Sequence, residues 1–259
     1  MLIADLERSV AVASNPVSKL FAEINLELFS PTWHRMQGLV RELKSVLASG
    51  EYIPVGEAAW ANEVLVFLGE FETAELLAQH RNRVDPLAPT GLMDLVDLEL
   101  QRGNFDGART YLAGVRSQFG NSPAAQWRAI EIEITEGNKE AALALLTDDF
   151  ISIRTYSYYK PIRAVFQGDL DEARRLADAL EAAGEFDGFL PIVFSAIGDR
   201  ERARQAVRNI DSNIAGPAIL ALRLSTQASP FWFDLDDAPN LRRRLEEAGV
   251  DRSVYEMRP

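Results

Sequence analysis

The sequence predicts an all-α fold of stacked helix pairs, and three observations carry that prediction. One short pattern returns five times: LGEFETAE at 68–75, RGNFDGAR at 102–109, EGNKEAAL at 136–143, QGDLDEAR at 167–174 and IGDRERAR at 197–204. Its glycines, Gly69, Gly103, Gly137, Gly168 and Gly198, are separated by 34, 34, 31 and 30 residues, and Ala74, Ala108, Ala142, Ala173 and Ala203 keep the same intervals. A fixed period of roughly 20 to 50 residues marks stacked supersecondary units. The segments before the glycines carry apolar residues at helical spacing, such as Trp60, Val64, Phe67 and Leu68, or Leu92, Leu95, Val96 and Leu100. After the glycine comes Asn104, Asn138, Asp169 or Asp199 in four of the five units, each a good N-cap, and Asp169 with Glu172 has capping-box spacing.

Each unit therefore reads as helix, tight turn, helix. Glycine reaches positive φ cheaply and ends the first helix. The recurring alanine falls where two helices cross too closely for a larger side chain. One pair cannot cover its own apolar face, so neighbours must stack.

Along the chain, residues 1–13, 16–28 and 32–49 read as helices, the third carrying Leu39, Leu43, Val46 and Leu47 before Gly50. The five units follow. Two are shortened: Pro161 and Pro191 each stand seven residues before a glycine. Proline is tolerated in a first turn but not in a helix interior, so those first helices are expected to begin near Tyr158 and Gly188 and to run two to three turns. The alternative is a longer helix kinked at each proline. After Ile210, Pro217 starts another helix, and Asn240 to Ala248 gives a last one. Between them lies an aromatic loop, SPFWFDLDDAP, residues 229–239, read either as packing over the end of the stack or as a second contact site through Phe231, Trp232 and Phe233.

The 34-residue spacing, the glycine, the aromatic residue two later and the alanine three after that resemble the tetratricopeptide repeat over residues 56–210. Pro86 falls where that family closes its second helix. The chain departs from the pattern at Ala58 and Asn62, where the family tends to have Trp and Gly, at Gly120 in place of proline, and at Lys139 and Arg200 in the aromatic position. The resemblance implies a right-handed α-solenoid of such repeats with capping helices: one domain over 1–259, with N-terminal helices and a degenerate repeat over 1–55, five repeats over 56–210 and a C-terminal cap over 211–259. The closing segment, with LRRRLEEAGV, also resembles the helical-repeat tails of bacterial adenylate cyclases and membrane-anchored winged-helix regulators.

Composition narrows the function. The chain has 259 residues, no cysteine and a formal net charge of −12. A phosphate-binding face needs clustered Lys and Arg, so nucleic acid and anionic membrane surfaces are not expected partners. The basic run Arg242-Arg243-Arg244 is followed by Glu246 and Glu247 and reads as a solvated helix face. No apolar run approaches the roughly 18 residues of a membrane span, and Asp5, Glu7 and Arg8 interrupt any signal peptide, which points to the cytoplasm. Nucleophile elbows, phosphate loops and dinucleotide motifs do not occur. His34 and His80 are isolated and read as partly exposed helix residues, while paired acids such as Asp148-Asp149 carry no weight among 39 carboxylates. The expectation is no enzyme, no cofactor and no metal.

Binding is the better reading. The resemblance makes the first helix of each unit the concave wall. Six residues before the glycines stand Glu63, Asp97 and Glu131, and four earlier come Ala59, Met93 and Trp127, with Tyr158 in a shortened unit. An open wall of this kind is an acidic ladder beside apolar patches, suited to a basic or amphipathic peptide or protein. The other reading of these acids is that they keep a solvated surface soluble. Lys and Asn, which hold the acidic C-termini of chaperones in related repeats, are absent at these places, so a carboxylate clamp is not expected. Two functions follow: a free-standing protein-binding scaffold, or the regulatory tail of a bacterial signalling protein.

Overall fold

A computed structural model describes residues 2–53, 60–184, 187–226 and 234–250. Ala59 and the aromatic run Phe231–Phe233 lie outside the described residues. The described residues form sixteen α-helices and no strand. In order these are α1 (Leu2–Val12), α2 (Pro16–Phe29), α3 (Met36–Ser49), α4 (Ala61–Phe67), α5 (Phe71–Val84), α6 (Thr90–Gln101), α7 (Phe105–Phe119) and α8 (Pro123–Glu136). Then come α9 (Lys139–Leu145), α10 (Asp148–Ser152), α11 (Tyr159–Phe166), α12 (Leu170–Ala183), α13 (Leu190–Ala196), α14 (Arg200–Asp211), α15 (Gly216–Thr226) and α16 (Pro239–Glu247).

The five recurring glycines sit at the joints α4–α5, α6–α7, α8–α9, α11–α12 and α13–α14, with φ between +70° and +85°. At the second joint the Gly103 N–H donates to the Leu100 carbonyl and the Asn104 N–H to the Glu99 carbonyl, at 3.0 and 2.9 Å. Those two bonds satisfy carbonyls that the helix end would otherwise orphan, and only a left-handed residue lets the chain turn tightly enough to make them. The other four joints repeat the same pair of bonds. The five alanines are buried, none more than 5% exposed. Asn104, Asp169 and Asp199 accept from the N–H three residues on, as N-caps do. Asn138 does not: its Nδ2 donates to Glu133 and Glu136 instead.

Both prolines fall in first turns. α11 begins at Tyr159 and α13 at Leu190, each about two turns long and each preceded by a 3₁₀ turn, at Arg154–Tyr156 and Asp187–Phe189. The kinked-helix alternative is not what forms. The third unit departs from the simple pair. Its second helix, α9, stops after seven residues, because Thr147 caps a new turn by accepting from the Phe150 N–H. Phe150 then turns inward to stack on Tyr156, with ring centroids 4.5 Å apart.

Consecutive helices pack in chain order, and first helices also touch the next first helix, as α4 touches α6 and α6 touches α8. The ends of the chain meet as well. α15 packs against α2, α4 and α6, and one core cluster joins Phe21, Trp33, Leu43 and Phe67 to Val207, Leu220, Leu241 and Leu245. Glu247 accepts from the Trp33 N–H at 3.0 Å, and Arg243 donates to the Pro31 carbonyl at 3.1 Å. Asp211 holds the start of α16, accepting from the N–H groups of Asn240 and Leu241 at 2.8 and 2.9 Å. The segment expected to cap one end of the stack thus also closes onto the other.

Candidate functional site

The ladder positions do come together, but with Asp97 and Glu131 inside the protein and Glu63 half-buried. Glu63 on α4, Asp97 on α6 and Glu131 on α8 line successive first helices, and Asp97 and Glu131 are only 7% and 2% exposed. The open acidic wall expected from the sequence is absent, and so is the solvated acidic surface. The reason is α15. Its sequence GPAILALRL is apolar around the whole circumference apart from Arg223, and a helix of that kind seeks burial on every side. It lies against the first helices α2, α4 and α6, with Ala218, Leu220 and Ala221 fully buried.

Burial forces these charges into pairs. Arg128 binds Asp97 and lays its guanidinium 3.8 Å from the centroid of the Trp127 ring. Arg81 on α5 reaches Asp94 on α6, with Nη1 to Oδ2 at 2.5 Å. The Tyr159 hydroxyl donates to Glu131 and accepts from Trp127 Nε1, the latter at 2.9 Å. Tyr158, 1% exposed, stacks on Phe189 with centroids 4.0 Å apart. Met93 is half-buried and packs with the core of α6 and α7. Loss of water raises the carboxyl pKa values: Glu63 and Glu131 to about 7, Asp97 to about 6 despite Arg128, and Asp94 to about 8 despite Arg81. Burial likewise pushes the Tyr158 and Tyr159 hydroxyls well up. Of the two histidines, His34 is exposed near Glu247, whereas His80 is buried at 8% exposure and desolvation lowers its pKa.

A different surface is open. α7 and α9 stand apart over α8 and leave a groove of about 810 Å³. Leu112, Ala129 and Ile132 form its floor, Ala113 and Ser117 one wall, and Ala141, Ala144 and Leu145 the other. Ala113, Ala141 and Ala144 are exposed. At the rim Arg109 is engaged by Glu133 and Glu136, while Arg116 donates from Nε to the Asn121 side chain at 3.1 Å and meets no carboxylate among the described residues. The short α9 ends cleanly: Gln126 Nε2 donates to the Leu145 carbonyl at 2.6 Å and Arg163 to the Leu146 carbonyl at 3.2 Å.

None of these groove residues was singled out by sequence reasoning. The signal was Thr147 followed by Asp148 and Asp149, a helix-start signature that breaks the third unit early. Asp94, Arg81 and Arg223 were missed too, although Asp94 and Arg223 each interrupt an apolar helix run. Among the described residues no group of three or more His, Cys, Asp or Glu side chains is arranged to hold a metal ion, and no helix is long and apolar enough to cross a membrane. No protein-family model matches the chain, and no curated protein matches it either.

Proposed function

We propose that this chain is a non-catalytic protein-interaction module, a right-handed stack of tetratricopeptide-like helix pairs that receives an amphipathic helix of a protein partner between α7 and α9. The observation that carries this reading is the open apolar groove between α7 and α9, while α15 already covers α4 and α6. Its volume, about 810 Å³, lies in the usual range for ligand sites of roughly 300–1,000 Å³. Exposed alanines on both walls admit a helix backbone closely, and helices bind grooves through anchors at i, i+3, i+4 and i+7. Arg116 at the rim selects a carboxylate on the incoming helix. The ladder acids, which on sequence grounds favoured a basic partner, are spent inside the protein.

The test is selection of helical peptides from a random library against the whole chain. The expected binders have an apolar small-residue face and one acidic residue, and lose at least about tenfold in affinity to Ala113→Trp and Ala144→Trp, which fill the groove. Arg116→Glu abolishes the preference for the acid. Selected peptides that bind all three variants as well as the parent would remove the groove from consideration.

A further inference from the structure

Folding gathers four carboxylates in one interior patch: Glu63 from α4, Asp94 and Asp97 from α6, and Glu131 from α8. Three guanidiniums face them, Arg81 from α5, Arg128 from α8 and Arg223 from α15, and the other titratable groups in the patch are Tyr158 and Tyr159 at the start of α11 and Tyr156 just before them, near Arg128. Among the described residues the acids outnumber the cations by one. An uncompensated buried charge is so unfavourable that a group in this position gives up ionisation instead. Contact geometry narrows which acid is left over to Glu63 or Glu131. Arg81 is bonded to Asp94, Arg128 to Asp97, and Arg223 faces Glu131 and the tyrosines, with Tyr159 donating to Glu131. Neither Glu63 nor Glu131 has a guanidinium at bonding distance, and each has a buried Oε2 without a hydrogen-bond partner; but Glu131 is held by the Tyr159 hydroxyl from another helix, whereas Glu63 takes only a bond from its own backbone. It stands in the first turn of α4, a helix that packs on both α6 and α15.

We propose that Glu63 holds a proton in the folded chain, and that losing it loosens α4 from α6 and α15, so that this seam opens as pH rises. The protonated carboxyl is neutral and sits beside Asp97 without conflict. Once ionised, it faces the Asp94 and Asp97 carboxylates on α6, to which Arg81 and Arg128 are already bonded, and moving α4 toward water is the cheapest relief. Burial, the largest cause, with Asp97 adding to it, raises the Glu63 pKa to about 7, which places the change near neutrality. Burial also pushes Asp94 up, to about 8, but its carboxylate lies 2.5 Å from a guanidinium that stays charged, so the shared proton rests on Glu63. This inference is independent of the groove between α7 and α9.

Hydrogen–deuterium exchange on the full chain at pH 6.0 and 8.5, corrected for intrinsic rates, tests it. The expected result is that protection of α4 falls by about tenfold or more at the higher pH while α12 keeps its own, since one unit of pKa shift corresponds to a factor of ten. Glu63→Gln keeps the neutral carboxamide and holds α4 protected at both pH values. Should that variant not fold, Asp94→Asn serves: it frees Arg81 for Glu63 and flattens the same dependence. Unchanged α4 protection in the parent chain, an equal loss in α12, or an undiminished loss in the variants overturns the proposal.

Discussion

Arg223 rests its guanidinium 3.7 Å from the centroid of the Phe189 ring, and Phe189 in turn stacks on Tyr158 at 4.0 Å. α15 is thereby fixed to the entrance of the fifth helix pair, with its one charge in the field of Tyr158, Glu131 and Tyr159. Arg223→Met keeps an apolar stem and removes that charge. The expected loss is about 1–2 kcal/mol at pH 8, from the cation–ring contact and the counter-charge together. At pH 5.5 the loss shrinks, because Glu131, raised by burial to about 7, then carries a proton and needs no cation. Urea unfolding at the two pH values measures both, and equal losses would separate Arg223 from Glu131.

Arg128 and Asp97 are each below 10% exposed in their side chains, so neither has water to fall back on. Arg128→Met leaves an unpaired buried carboxylate and is expected to cost about 3–5 kcal/mol. Adding Asp97→Leu removes the stranded charge, and the double variant recovers at least about 2 kcal/mol of that loss. A double-mutant cycle by chemical denaturation reads the coupling. Simple additivity would mean that the two residues do not depend on one another.

Much of the helix order was legible because joints are local events. A glycine, a capping Asn or Asp and a small alanine act within a few residues of each other, and Gly69 to Gly198 announce all five turns. What the sequence hid was global. That α15 would be buried follows from its all-round apolar surface, yet only the closure of the ends says that α2, α4 and α6 receive it. Glu63, Asp97 and Glu131 lie on α4, α6 and α8, the first helices of successive units. The burial of Asp97 and Glu131 was not legible, because a carboxylate in a helix reads as solvated until its covering element is known. Ala59 lies outside the described residues. The groove escaped notice because it depends on α9 being short, a consequence of the cap at Thr147 that periodicity alone smooths over.

The Gly103 joint allows the clearest test of a local rule. Its φ is +70°, and a Cβ built there meets nothing within 4 Å, so any penalty comes from the backbone and none from crowding. Gly103→Val is expected to lower stability by about 1–3 kcal/mol, because β-branched residues resist the left-handed region. Gly103→Asn, which tolerates that region, costs less than half as much. Thermal melts of the two variants decide it, and equal losses would point to some cause other than φ.

Gly216 tests the opposite situation. It opens α15 without positive φ, but an added Cβ would lie 1.7 Å from the Ile210 carbonyl oxygen, a backbone atom that cannot step aside. Gly216→Ala is therefore expected to lift the start of α15 and cost about 3 kcal/mol, at the upper end for overpacking. The near-ultraviolet circular dichroism of the packed aromatic residues should weaken along with the Tm. Full retention of both would show that α15 is seated by its later residues alone.

The whole-protein response to pH follows from the sign of the buried shifts. Glu63, Asp94, Asp97 and Glu131 all have pKa values raised in the folded state, chiefly by burial. Asp94 stays ionised beside Arg81, but between the ordinary carboxyl value near pH 4 and the folded values of about 6 to 7 the folded chain holds protons on the other three that the unfolded chain has released. Stability must then fall as pH rises through that window. Glu136 and Glu172 act in the opposite direction, with pKa values lowered by hydrogen bonds from Arg109 and Arg175; their contribution is present above the ordinary carboxyl value and disappears in acid. Both are surface groups, where salt bridges contribute little. His80, lowered by burial, and Glu247, lowered against its desolvation by the Trp33 N–H and Arg243, oppose from within, but they are two groups against the larger set of raised carboxylates. The interior wins, so the urea midpoint is expected to be highest between pH 5 and 6 and to drop by pH 8.5, by about 2 kcal/mol or more in unfolding free energy. Glu131→Gln should make the slope shallower without reversing it. A midpoint that instead climbs from pH 5.5 to 8.5 would mean Glu63, Asp97 and Glu131 are hydrated and ionised in the folded chain.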